Sequence, residues 1–374
     1  MSNEVKQRKI EHVTVALEHD VAAPQAASWA DVRLAHRALP EVDLDEIDTS
    51  VEFLGARLRF PVFVSSLTGG HPDVASINAR LAELAEEYGL AMGVGSQRAA
   101  IADGALSETY SVVRERAPHA FLIANIGAPQ LIAQRNRPAF SLEEAQRAVE
   151  MIQANALAVH LNYLQEAAQP EGDRVARGAL AAVRRLAEAI PVPVMAKETG
   201  AGVSYEQAAA LKAAGVRAID VGGAGGSSMA AMESHRAESR GDARTAGVGQ
   251  LFRNWGIPTP IALVETLQAV PDLPVVATGG VRSGLDAARA LTLGATLVGM
   301  GFPFLKAASE GEQALREFFG QFVTELKVAM QLTGAATVAG LREKPAIVLG
   351  ATREWLELRG FGDALRATAQ RGMR

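Results

Sequence analysis

Cysteine is absent from the 374 residues. Disulfides, thiolate nucleophiles and thiolate-ligated zinc or iron–sulfur centres are therefore excluded by composition. Long apolar runs are missing as well: none reaches the roughly 18 residues that a membrane span requires. The opening segment from Met1 to Leu17 is polar and carries no apolar stretch of signal-peptide length. The expectation is a soluble, cytoplasmic protein with no membrane partner. Basic charge is not in excess either, because 37 Lys and Arg stand against 42 Asp and Glu, a net charge of -5. Such a chain has no global field of the kind that draws nucleic acid, so nucleic acid is not an expected partner and any anion site must be local.

What is present is an ordinary globular composition, 48% hydrophobic and 21% charged, enough to bury a sizeable core. After a polar opening over residues 1–55, apolar runs recur and alternate with helix-like segments, the pattern of βα repetition. The predicted strands are Val62 to Leu67, Leu90 to Gly95, Ala120 to Ile126, Ala156 to Asn162, Val192 to Glu198, Arg217 to Gly222, Pro274 to Thr278 and Thr296 to Met300. Between them, Ile77, Leu81, Leu84 and Tyr88 fall on one helical face, and Ser141 with Glu144 forms a capping box. Eight such units predict an α/β fold, a closed (β/α)₈ TIM barrel over 56–334, since a doubly wound sheet would usually stop at five or six strands. The chain is read as one domain, 1–374, with an N-terminal extension (1–55) and a C-terminal helical tail (335–374). From Gly223 to Pro258 no strand pattern appears, and the stretch is rich in Gly, Ser, Arg and Glu. A loop of that length after the sixth strand is expected to be a lid over the site.

Most of the strands run out into residues that a packed core does not need. Thr68-Gly69-Gly70, Ser96-Gln97-Arg98, Asn125, His160 with Asn162, Lys197-Glu198 and Thr278-Gly279-Gly280 should share the C-terminal rim where TIM barrels keep their active sites. Along the fourth strand the side chains alternate, so His160 and Asn162 share a face. A hydrogen-bonded pair within the core is the plain alternative, but the other polar strand ends beside them favour function. Gln165 and Glu166 follow at once. Thr278 to Gly284 and Val298 to Gly301 occupy the places where such barrels cradle a phosphate on close-approaching backbone and a helix N-terminus. Lys197 lies in the apolar run Pro193-Val194-Met195-Ala196, where an unpaired ammonium is expensive. Its partner could be substrate, a Schiff-base carbonyl, the pyrimidine side of a flavin, or Glu198. Arg8, Lys9 and His12 read, by themselves, as a frayed terminus.

Taken in order, these motifs resemble the type 2 isopentenyl diphosphate isomerases, FMN enzymes built on a TIM barrel. The similarity runs from Arg8-Lys9 with His12, through Ser66-Leu67-Thr68-Gly69-Gly70, Gly95-Ser96-Gln97-Arg98, Asn125-Ile126-Gly127-Ala128 and His160-Leu161-Asn162 with Gln165-Glu166. It continues through Lys197-Glu198-Thr199-Gly200 and Trp255-Gly256-Ile257-Pro258-Thr259 to Thr278-Gly279-Gly280-Val281-Arg282. Leu67 stands where Met is frequent in that family, and Ser227 where Thr is frequent. The resemblance implies that FMN is held by Ser66, Thr68, Gly69, Ser96, Asn125, Lys197, Ser227, Gly279, Gly280, Arg282, Met300 and Gly301. It implies that Arg8, Lys9, His12, Ser96, Gln97, Arg98 and Gln165 bind substrate, and that Glu166 ligates the Mg²⁺ accompanying a diphosphate. His160, Asn162 and Gln165 would be the catalytic set, orienting substrate and flavin. The implied reaction is a redox-neutral allylic proton shift from isopentenyl to dimethylallyl diphosphate, with NADPH or another reductant only priming the flavin, in a homo-oligomer (tetramer or octamer).

Three other readings compete. An FMN-dependent 2-hydroxy acid oxidase shares the barrel and the phosphate loop but requires a His after the sixth strand, where this chain reads Gly222-Gly223-Ala224-Gly225-Gly226-Ser227. An inosine monophosphate dehydrogenase-like enzyme requires a nucleophilic Cys and is excluded. A non-catalytic flavin-binding barrel would limit its polar ring to cofactor contacts, whereas Gln165, Glu166, Arg98 and the N-terminal basic pair form a second group.

Overall fold

A strand covered on both faces reads as a continuous apolar run, and the eight runs of the sequence are such strands. They are β1 (Val62–Val64), β2 (Ala91–Gly93), β3 (Phe121–Gly127), β4 (Ala156–His160), β5 (Val194–Lys197), β6 (Ala218–Asp220), β7 (Val275–Thr278) and β8 (Leu297–Met300). All pair in parallel, and β8 returns to β1, which closes the barrel. The computed structural model describes residues 2–25, 27–135, 137–169 and 171–373, of which 2–9 by backbone alone. β1, β2, β4, β5 and β6 stop short of their predicted C-terminal ends, where polar residues leave the ladder and the chain turns out over the rim, whereas β7 and β8 end as predicted and β3 runs on to Gly127.

Register decides which of those ends meet. Gly127 of β3 lies beside His160 of β4, His160 beside Lys197 of β5, and Lys197 beside Asp220 of β6. Four neighbouring strands thus deliver a glycine, an imidazole, an ammonium and a carboxylate at one level. Around the barrel, the expected capping box at Ser141 is present, with Glu144 returning the bond to the Ser141 N–H. Ile77, Leu81 and Leu84 are buried on the helix Ala75–Tyr88.

The extension and the tail are not passive ends. The chain opens with helix α1 (Ser2–Glu18), later makes a hairpin of Val51–Phe53 with Ala56–Leu58, and sends Val32–Leu34 to pair antiparallel with Ala346–Val348 of the tail. The tail is therefore helical with one strand, and that strand fastens it to the extension. No helix among the described residues is long and apolar enough to cross a membrane.

The long connection 223–258, read from the sequence as a loop, contains a helical pair, α2 (Met229–Ser239) and α3 (Ala243–Leu251). Ser228 caps α2 by accepting the Ala231 N–H, and Asp242 caps α3 by accepting that of Thr245. The two pack closely because small residues face each other: a Cβ on Gly249 would meet Ala230 O at 2.6 Å. Helix α1 lies across α2.

Candidate functional site

At the C-terminal mouth of the barrel is a cavity of about 390 Å³, roofed by His12, Val13 and Ala16 of α1 and by Met229 and Met232 of α2. Of the residues singled out in the sequence, Ser66, Thr68, Ser96, Arg98, Asn125, His160, Asn162, Gln165, Glu166, Lys197, Ser227, Gly279, Gly280, Arg282, Met300, Gly301 and His12 all line it. Two do not. Gln97 is fully buried and turned away: its amide donates to Ala148 O (2.8 Å) and accepts from Asn125 N–H (2.8 Å), so it holds β3 rather than facing the cavity. Gly69 is set back, its φ of +140° leaving room for the Tyr110 ring, which a Cβ would meet at 2.2 Å. Arg8 and Lys9 lie on α1, with their side chains outside the described residues.

One end of the cavity is a backbone cradle. Gly279 (φ +125°) and Gly280 (φ +69°) interlock with Gly225 and Gly226, since a Cβ on Gly280 would meet Gly225 O at 2.8 Å and one on Gly226 would meet Gly280 N at 2.9 Å. Only glycine allows that approach. Helix Phe302–Glu310 begins at Gly301 with no side-chain cap, and Gly301, Phe302 and Pro303 line the cavity, so its N-terminal N–H groups are left for an anion. The hydroxyls of Ser65 and Ser66 are buried on the lining with no hydrogen-bond partner among the described residues. Orphaned hydroxyls beside a glycine cradle fit a phosphorylated, polar-edged cofactor.

Lys197 is 5% exposed, and its Nζ donates to Glu198 O at 2.9 Å. Its counter-charge is Asp220 on the adjacent strand, 3.6 Å away and fully buried, rather than the Glu198 carboxylate. Burial pushes Asp220 up from the ordinary carboxylate range, and Lys197 opposes that rise. Burial likewise lifts Glu198, to about 7, against the N–H groups of Ala201, Thr199 and Gly200, which all point at its Oε2.

Facing the cradle is a second group. His160 Nδ1 lies 2.8 Å from Asn125 Oδ1; because the Asn125 amide donates to Val94 O, that oxygen is the acceptor, and His160 carries its proton on Nδ1. The strand stops at His160, and Asn162 instead opens the helix Tyr163–Ala168, yet both side chains reach the cavity. Glu166 is 3% exposed and accepts from Asn162 (3.1 Å), Gln169 (2.6 Å) and the Asp173 N–H (2.7 Å). Gln165 donates to Glu233 Oε1 at 3.0 Å, to which His12 also donates at 2.8 Å. Burial opposes ionisation of Glu233, but His12 and Arg236 hold it down, to about 2.

Sequence reasoning missed Asp220, Glu233, Gln130 and Asp173. Asp220, an acid within an apolar strand run, carried a signal; Glu233 was hidden inside the stretch read as a loop. Gln130 and Asp173 lie in connecting segments, where nothing in the local pattern separates an inward polar group from a solvated one.

A closed parallel barrel with its cavity at the strand C-termini and a phosphate cradle after β7 and β8 defines the class, an FMN-type TIM-barrel protein. Residues 2–348 match the family of FMN-dependent dehydrogenases. Within it, the chain belongs to the isopentenyl-diphosphate delta-isomerase family. It is 46% identical over 362 residues to the isopentenyl-diphosphate delta-isomerase of Methanosarcina mazei, covering 96% of this chain and 97% of that one. It is 48% identical to that of Archaeoglobus fulgidus (94% and 99% covered) and 46% identical to that of Halobacterium salinarum (96% and 98%). The fold is shared with a mandelate oxidase variant carrying a monooxide FMN adduct (TM-score 0.58, 22% identity, 91% and 92% covered). It is shared too with a mandelate oxidase holding benzoylformic acid (TM-score 0.60, 20% identity, 93% and 97%).

Proposed function

We propose that the chain isomerises isopentenyl diphosphate to dimethylallyl diphosphate by a 1,3-allylic proton shift, with FMN as resident cofactor and Mg²⁺ on the diphosphate. The observation that carries this reading is the second polar group. A flavin carrier needs only the cradle and Lys197, but here Arg98, Gln165, Glu166 and His160 face it across one cavity. An oxidase would need a proton-abstracting His after β6, where the loop offers glycine, alanine and serine. A site roofed by α1 and α2 suits proton transfer to unactivated carbon, which needs water kept out.

Reduced FMN would supply the acid–base chemistry that adds a proton at C4 and removes one at C2. The chain holds and orients. Gly279, Gly280, Ser227, Arg282, Gly301 and Met300 would take the phosphate end, Ser66, Thr68, Ser96 and Asn125 the ring edge, and Lys197 its electron-rich side, where an ammonium favours the reduced anion. Asn125 fixes the His160 tautomer, and Glu233 with Asn162 fixes the Gln165 amide, so both present set faces to the substrate. Arg98, with Arg8 and Lys9 brought over by α1, would bind the diphosphate. Glu166 fits a hard cation whose remaining ligands are phosphate oxygens and water, because Mg²⁺ on substrate phosphates typically takes one or two carboxylates. NADPH is read as a primer, the chain as cytoplasmic and homo-oligomeric.

The test is anaerobic turnover of isopentenyl diphosphate with Mg²⁺. Oxidised enzyme should be nearly silent, while enzyme reduced by dithionite or one equivalent of NADPH should make many equivalents of product without consuming reductant. Stoichiometric NADPH loss, or full activity without flavin, would sink the reading.

A further inference from the structure

Side chains from three separate segments converge on one carboxylate that the mechanism above does not use, and the backbone N–H of the same residue reaches a fourth. Asp173 is 4% exposed. Its Oδ2 accepts from Arg98 Nη1 (2.9 Å) and from the Gln130 amide (3.3 Å), and its Oδ1 accepts from Arg137 Nη2 (2.6 Å). Its own N–H donates to Glu166 Oε2 at 2.7 Å. The loop reaches that position only through Gly172, where a Cβ would overlap Glu166 O at 1.8 Å.

We infer that Asp173 is the positioning residue of the diphosphate end, aligning Arg98 toward the anion with its carboxylate and Glu166 toward the accompanying cation with its N–H, and that Gln130 and Arg137 hold Asp173 in place there. The inference rests on reading the cavity as a diphosphate site. Arg98 spends Nη1 on Asp173, so the rest of its guanidinium is held on the cavity lining in a fixed plane, as a planar fork allows and a lysine would not. Gln130 spends its NH₂ on Asp173, which leaves its Oε1 buried with no partner among the described residues. That oxygen and His160 Nε2 both crowd the space a Gly127 Cβ would take, at 2.1 and 2.7 Å. Gln130 therefore presents an acceptor beside His160. The N–H of Asp173 fixes one oxygen of Glu166, which sets the direction of the other. One buried residue thereby holds the guanidinium and the amide with its carboxylate and the metal-side carboxylate with its N–H.

The probe is inorganic diphosphate with Mg²⁺, titrated calorimetrically into the full-length, FMN-loaded protein, so that the readout does not depend on turnover. Asp173→Asn should weaken diphosphate binding by roughly tenfold or more, the size of a lost charge-assisted contact. It should leave flavin affinity unchanged, and Asp173→Glu should recover part of the loss. Arg137→Met, on a partly exposed segment, tests the same claim with little risk to folding and should weaken binding a few-fold by freeing Asp173 Oδ1. Wild-type affinity in Asp173→Asn, or in Arg137→Met should the former not fold, would overturn the inference while leaving the diphosphate reading intact. A wild-type protein that bound no diphosphate would overturn that reading and the inference with it.

Discussion

Lys197 shows how a single residue was half legible. An ammonium in an apolar strand run had to have an anionic or electron-rich partner, and the structure supplies one in Asp220, which the register of β5 with β6 brings alongside. The sequence could not show that pairing, because strand-to-strand register is a property of the closed barrel. Lys197→Met should leave Asp220 buried without its counter-charge, a loss of about 3–5 kcal/mol. Lys197→Met with Asp220→Asn should be more stable than the single variant by thermal unfolding. Both should bind FMN roughly tenfold or more weakly, with a lowered flavin reduction potential. Normal flavin affinity and potential would show that Lys197 serves only Asp220. For Glu166, the expectation is different in kind: Glu166→Gln should shift the Mg²⁺ dependence upward by roughly tenfold and keep its rate at saturating metal. A rate loss with unaltered metal affinity would make it an acid or base instead.

Among elements, the barrel strands were readable because burial on both faces leaves no polar interruption. Helices α2 and α3 were not, because their packing uses Ala, Gly and Ser, which also make loops. Their caps, Ser228 and Asp242, were the overlooked signal. What the pair does is dock α1: Arg236, 2% exposed, binds Glu11, Glu171 and Glu233, and His12 binds Glu233. Glu233 is held at about 2 against an ordinary 4.5, a depressed acid, so its stabilisation is complete above 4.5 and lost as pH falls toward 2. Hydrogen exchange should show α1 undocking across that window, and Glu233→Gln should shrink the acid-dependent step by weakening docking at all pH values, leaving the part carried by Glu171. If α1 delivers Arg8 and Lys9 to the diphosphate, neutralising either should raise KM by roughly tenfold or more without changing flavin affinity. An unchanged KM would return them to a frayed end.

At the scale of the whole molecule, the extension and tail form a strap around the barrel that no periodicity announces, since its strands are three residues each. Val32 and Leu356 are fully buried in it, Asp31 accepts from the Thr352 N–H and hydroxyl, and Trp29 Nε1 donates to Gly279 O at 3.1 Å. The last bond reaches the cradle itself, so the strap touches the cradle at Trp29. Leu356 is fully buried and does not line the cavity, so Leu356→Ala opens a void outside it and should cost about 2–5 kcal/mol. A ligand that binds only the folded state returns stability by mass action, about 2.7 kcal/mol at one hundred times its dissociation constant. Added FMN should therefore raise the Tm of Leu356→Ala by nearly the increment seen in the wild type, with similar affinity. Trp29→Phe keeps the ring but removes the donor to Gly279 O, so its apo stability should fall by only about 1 kcal/mol, whereas its FMN-dependent increment should shrink. Calorimetry of both variants with and without FMN separates the cases. Equal increments in wild type and Trp29→Phe would mean that the strap closes the barrel without shaping the cradle.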